Sequence, residues 1–209
     1  MFDAISPQYI LVVLVTLIVS ISIHEAMHGL TARYLGDTTA DEAGRITLNP
    51  FRHVDIWFTV LIPTVMLLLH LPPIFAAKPV PFDPRNVRYG EFGAALVGIA
   101  GPLSNLALAV VSALAIRIGG LSLADGLGYI LLLFTSINIS LFVFNMIPFP
   151  PLDGSRLLYA VAPDPLRRIM EQIEGAGFGV TIMVLLLLSP FISPFIVNIS
   201  QGILTFLLR

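Results

Sequence analysis

Residues 8–32, 91–117, 129–147 and 178–208 are apolar over lengths that suit a lipid bilayer better than a soluble core. Inside hydrocarbon every backbone N–H and C=O must be paired within the protein, which leaves helices or a closed barrel. Runs of this length read as helices. Charged residues make up only 11% of the 209, and mean hydropathy is +0.92. A soluble domain carries roughly 25% charged residues. The sequence therefore predicts an all-α polytopic membrane protein, counted as one domain. A net charge of −2 gives no reason to expect nucleic acid as a partner. With no cysteine, disulfides and thiolate metal sites are excluded, and any metal must be held by His and carboxylate. No Lys or Arg precedes the first run, so it reads as a retained span rather than a signal peptide.

The first run carries His24-Glu25-Ala26-Met27-His28 near its end. Helical positions i and i+4 share a face, so both imidazoles can reach one point, with the Glu25 carboxylate beside it. This is the His-Glu-x-x-His spacing of zinc hydrolases. Ionisable groups inside a span are costly and usually functional. A catalytic zinc takes three protein ligands and keeps one position open. Asp153 is the best third ligand, because it follows an apolar helix and is the only acidic residue between Asp125 and Asp164. A turn role for Leu152-Asp153-Gly154 is the alternative, and His53, Glu42 and His70 are weaker ligand candidates.

The other segments read as follows. Residues 44–49 alternate polar and apolar up to Pro50, which predicts a short strand. Residues 57–71 are apolar but short, and 72–89 are proline-rich and extended. Gly90, Ala94 and Gly98 permit close helix contact. Residues 164–174 read as an amphipathic interfacial helix. Residues 178–208, broken by Pro190 and Pro194, fit one bent span or a hairpin.

For Asp153 to meet His24 and His28, the chain must cross an even number of times between them. Spans 91–117 and 129–147 supply two crossings, so 57–71 should dip and return or lie at the interface. Charge agrees. Arg33, Arg45, Arg52, Lys78, Arg85, Arg88, Arg156, Arg167 and Arg168 then fall on one side, and only Arg117 on the other, with Arg209 unassigned. The positive-inside rule makes the crowded side cytoplasmic, which places the site near the cytoplasmic face of the membrane.

A metal at this point would activate water and polarise a carbonyl. Glu25 would take the proton and pass it to the leaving nitrogen. A site within the membrane implies a transmembrane protein substrate, locally unwound. Ile46 and Leu48, on the expected strand, could pair with it. Asn105 and Asn145 could hold substrate backbone or an oxyanion. Helix–helix hydrogen bonding is the commoner use of such residues, and Asn138, Ser136 and Ser140 read as structural.

Taken together, His24-Glu25-Ala26-Met27-His28, Gly101-Pro102-Leu103-Ser104-Asn105 and Asn145-Met146-Ile147-Pro148-Phe149-Pro150-Pro151-Leu152-Asp153-Gly154 resemble the site-2 protease family of intramembrane zinc metalloproteases. The resemblance covers roughly residues 8–160. It implies Zn2+ bound by His24, His28 and Asp153, Glu25 as catalytic base, and substrate-handling roles for Asn105 and Asn145. It also implies a small membrane-associated β-hairpin after the first helix. The chain shows neither a PDZ nor a CBS domain. It looks like the compact prokaryotic branch, which cleaves membrane-anchored regulators in the cell membrane, and an accessory membrane protein could supply substrate choice. On this reading residues 1–209 form one protease domain, with a catalytic core at about 8–160 and C-terminal helices at about 164–209. The competing readings are a metal or proton transporter and an inactive scaffold homologue built on the same His/Asp cluster.

Overall fold

The computed structural model describes residues 7–53, 61, 80–124 and 126–209. Among these the fold is entirely helical. The elements are α1 (Pro7–Tyr34), α2 (Thr39–Glu42), a 3₁₀ turn (Pro50–Arg52), α3 (Glu91–Gly119), α4 (Gly126–Asn145), α5 (Gly154–Val161), α6 (Asp164–Gly175) and α7 (Phe178–Leu208). Four helices, Pro7–Tyr34, Glu91–Gly119, Gly126–Asn145 and Met183–Leu208, are long and apolar enough to cross a membrane. At 1.5 Å per residue α1 is about 42 Å long, more than a hydrocarbon core requires. Residues 178–208 form one continuous helix, with Pro190 and Pro194 inside it, which decides between the bent span and the hairpin.

The bundle is polar and small inside, apolar outside. The inward stripe of α1 holds Ser20, Ile21, His24, Glu25, His28, Gly29 and Ala32, while Leu11, Val15 and Val19 are exposed. Helix α3 buries Gly93, Ala94, Gly98, Gly101, Asn105, Ala109, Ser112 and Ala113. Lipid is as apolar as leucine, so association in a membrane relies on close packing of small residues and on interhelical hydrogen bonds. Helix α3 packs against α1, α4 and α5, and α7 lies outside against α4 and α3. The apolar stretch of α7 is only 6% buried, against 44% for α1 and α3, so the centre of the bundle is α1, α3 and α4.

The expected β-hairpin is not present among the described residues. Residues 44–49 carry no strand, because local bonds capture the backbone first. The Arg45 amide donates to Ala40 O and the Thr47 amide to Arg45 O. The Asn49 amide donates to Thr47 Oγ1, the Phe51 amide to Asn49 Oδ1, and His53 Nε2 to Thr47 O. Thr and Asn side chains offer the chain this alternative to a ladder, which an alternating pattern does not reveal. Apart from Leu61, the expected dip at 57–71 and the first part of the proline-rich segment, to residue 79, lie outside the described residues.

Asp37 ties the end of α1 to the segment leading into α3. It is fully buried. Its Oδ1 accepts from the Thr39 amide and hydroxyl, and its Oδ2 from the Asp83 amide at 2.8 Å. The Arg88 amide donates to Leu35 O alongside. Burial alone would raise the Asp37 pKa, but the bonds from Thr39 and Asp83 outweigh it and hold the carboxyl below its usual value. A depressed folded pKa means that this stabilisation is present above the unfolded value of 3.8 and fades as pH falls through the folded one. Asp37→Ala should therefore cost about 1–3 kcal/mol at neutral pH. Thermal unfolding in detergent should show the gap between wild type and variant narrowing below about pH 4.

Candidate metal centre

Three ligand atoms converge where α1, α3 and the start of α5 meet. His24 Nε2 lies 3.0 Å from Asp153 Oδ2, His28 Nε2 lies 3.4 Å from the same oxygen, and the two Nε2 atoms are 3.0 Å apart. The rings stand edge to face, with centroids 4.6 Å apart. Among the described residues this trio is the group of His and carboxylate side chains able to hold a metal ion. Both histidines are buried. Asp153 is placed directly ahead of α5, where Gly154 backs onto the Met146 carbonyl with no room for a side chain.

The chemistry of the trio fits a tetrahedral zinc. Bonds of ~2.0–2.1 Å at tetrahedral angles put neighbouring ligand atoms roughly 3.3 Å apart, close to the observed spacings. Each imidazole has an acceptor on its other nitrogen. His24 Nδ1 bonds Asn105 Oδ1 at 2.6 Å, and His28 Nδ1 bonds the Val97 carbonyl at 2.7 Å. Both protons therefore reside on Nδ1, and both Nε2 lone pairs face each other and a carboxylate. Three lone pairs with no proton between them repel, and a cation resolves the arrangement.

Gly101, in α3, forms the wall of this point. A Cβ there would lie 2.5 Å from His24 Nε2 and closer still to His28 Nε2. Gly98, one turn earlier, makes room in the same way for the Asp153 carbonyl and the Arg156 side chain. Glycine at these two positions lets α3 approach both sets of ligands.

Glu25 is buried beside His24, and its Oε2 accepts from the Val80 amide at 2.9 Å. Val80 lies between Pro79 and Pro81, so its N–H is the only amide donor among those three residues. That proline pair was a signal for a single, directed donor. The Val97 carbonyl left no signal in the sequence.

The remaining sequence candidates are placed as follows. Asn105 is fully buried behind His24. Asn145 is part-buried and donates to Leu141 O of its own helix at 3.0 Å. Ile46 and Val80 both border Gly29, and Leu48 is exposed. His53 and Glu42 lie outside the trio, bonded to Thr47 O and the Thr38 hydroxyl. His70 lies outside the described residues.

A helical membrane bundle holding two imidazoles, an aspartate and an adjacent glutamate at its centre has the make-up of a membrane metallopeptidase. The model of peptidase family M50 matches residues 115–189, a stretch that includes Asp153. "Putative zinc metalloprotease YwhC" of Bacillus subtilis is 37% identical over 172 residues, covering 78% of this chain and 75% of that protein. "Putative zinc metalloprotease Rip2" of Mycolicibacterium smegmatis is 27% identical over 184 residues, covering 83% of this chain and 65% of that protein. The chain belongs to peptidase family M50, the site-2 protease family that its motifs resemble. No solved structure matches it.

Proposed function

We propose that the protein is an intramembrane zinc endopeptidase that cuts membrane-anchored proteins within or near their transmembrane segments. The observation that carries this reading is the convergence of His24 Nε2, His28 Nε2 and Asp153 Oδ2 with Glu25 adjacent, in a helix long enough to span. Zinc bound there would lower the pKa of water and polarise the scissile carbonyl. Glu25 receives the water's proton and delivers it to the leaving nitrogen. The Val80 amide holds one carboxylate oxygen of Glu25 in place. Burial of His24, Glu25 and His28 limits the entry of bulk water, so water and an unwound substrate must both be admitted.

Asn145, at the end of α4, is proposed to hold substrate backbone. Ile46 and Leu48 are proposed as apolar contacts for the substrate, acting through their side chains now that residues 44–49 turn rather than extend. Residues 8–160 would carry the catalysis and 164–209 would flank it, in keeping with the slight burial of α7. The resemblance to the compact prokaryotic branch supports the cell membrane of a prokaryote, and the Arg and Lys distribution supports a site near its cytoplasmic face. An accessory membrane protein would present substrate.

Purified protein in detergent or liposomes should cleave a single-span reporter. A chelator should abolish cleavage and added zinc should restore it. Cleavage that persists in protein shown by metal analysis to be zinc-free would overturn the assignment.

A further inference from the structure

His24 and His28 are fixed by different means. His28 relies on one backbone carbonyl, that of Val97. His24 relies on a chain of side chains crossing three helices. His24 Nδ1 bonds Asn105 Oδ1 at 2.6 Å, Asn105 Nδ2 donates to Asn138 Oδ1 at 3.0 Å, and Asn138 Nδ2 donates to the Phe134 carbonyl at 2.9 Å. Both asparagines are fully buried. Asn105 Nδ2 also lies 3.5 Å from the Ser20 carbonyl, a second acceptor on the same side.

The order of this chain has a direction. The Phe134 carbonyl can only accept, so Asn138 must turn its NH₂ toward it and its oxygen toward Asn105. Asn105 must then present its NH₂ to Asn138 and the Ser20 carbonyl, and its oxygen to His24. An oxygen at that place can only accept, so the His24 proton is held on Nδ1 and the Nε2 lone pair faces Asp153 and His28. Reversing any one amide would set two donors or two acceptors against each other in a buried site, where an unmade bond is expensive.

We propose that Asn105 and Asn138 form a directed relay that sets the tautomer and ring orientation of His24 and so tunes the metal affinity of the site. Asn105 is a positioning residue rather than a substrate contact, and Asn138 is its orienter rather than a helix-packing residue alone. The inference rests on the proposed role of His24 as a metal ligand. Outer partners of metal-bound histidines typically contribute 10–100-fold in affinity. A packing role for the same residues would lower stability and leave the affinity of the folded protein unchanged.

The test measures zinc affinity, by competition with a chromophoric chelator, on the folded, monodisperse fraction of each variant. Asn105→Leu should weaken zinc binding roughly 10–100-fold. Asn105→Asp keeps an acceptor for Nδ1–H, so zinc affinity in its folded fraction should stay within a few-fold of wild type, while loss of the donor to Asn138 Oδ1 and the Ser20 carbonyl lowers its stability. Asn138→Leu frees the Asn105 amide to rotate and should give a smaller loss than Asn105→Leu. Nitrogen-15 NMR of the histidine rings in zinc-free protein should show His24 as the Nδ1–H tautomer in wild type and a mixture in Asn105→Leu. Unchanged affinity in Asn105→Leu, or an Nε2–H tautomer in wild type, would overturn the relay. If wild type and His24→Ala bind zinc equally weakly, the zinc peptidase reading fails, and the tautomer measurement still judges the relay. If Asn105→Leu does not fold, Asn138→Leu and the wild-type tautomer decide.

Discussion

Glu25→Gln should lower cleavage of a membrane-anchored substrate by roughly 10²–10⁴-fold, the range supplied by a positioned acid–base group. The bound metal should be retained. Glutamine matches glutamate in shape and its carbonyl oxygen can still accept from the Val80 amide, as Glu25 Oε2 does at 2.9 Å. What it loses is the capacity to take a proton from water and hand it to the leaving nitrogen. Single-turnover cleavage alongside metal analysis checks both halves. Full activity would remove Glu25 from the chemistry, and loss of zinc with activity would make its role structural. The same variant separates the competing classes. A scaffold keeps its biological effect when Glu25 is replaced, and a transporter moves ions across sealed vesicles where a peptidase does not.

Gly101→Ala should be nearly as damaging although it removes no functional group. The new methyl would lie 2.5 Å from His24 Nε2 and 2.7 Å from His24 Cδ2, and closer to His28 Nε2. Either α1 and α3 separate or both imidazoles swing aside. Overpacking of this kind costs about 1–3 kcal/mol. The larger effect falls on the metal, whose ligand atoms must stay within a few tenths of an ångström of their positions. Zinc affinity should fall at least ~100-fold, beyond the usual range for an outer partner, while much of the helical signal survives. Equilibrium zinc titration with circular dichroism on the same sample checks this. Wild-type affinity in Gly101→Ala would show that α3 does not press on the ligand nitrogens.

The fold class was legible because lipid imposes one rule on backbone polar groups and the apolar runs obey it. The runs at 91–117 and 129–147 correspond to Glu91–Gly119 and Gly126–Asn145. The run at 178–208 corresponds to one helix, which its prolines obscured. The strand at 44–49 misread because alternation is a weak cue where Thr47 and Asn49 can bind nearby backbone. Asn105 shows a different difficulty. Its residue type announced a buried hydrogen bond, but a carboxamide can face a substrate, a helix or a histidine, and one-dimensional spacing does not choose among them.

By itself the sequence determined that the chain is a helical membrane protein, that two histidines share one helical face with a glutamate beside them, and which aspartate is best placed to join them. Helical periodicity is a property of the chain alone. Only the tertiary structure decided the distances among His24, His28 and Asp153, the close approach of Gly101, and the acceptors that hold each imidazole. Those depend on contacts between residues such as His24, Asn105 and Asn138, far apart in the chain and brought together by packing of α1, α3 and α4, which local pattern does not encode.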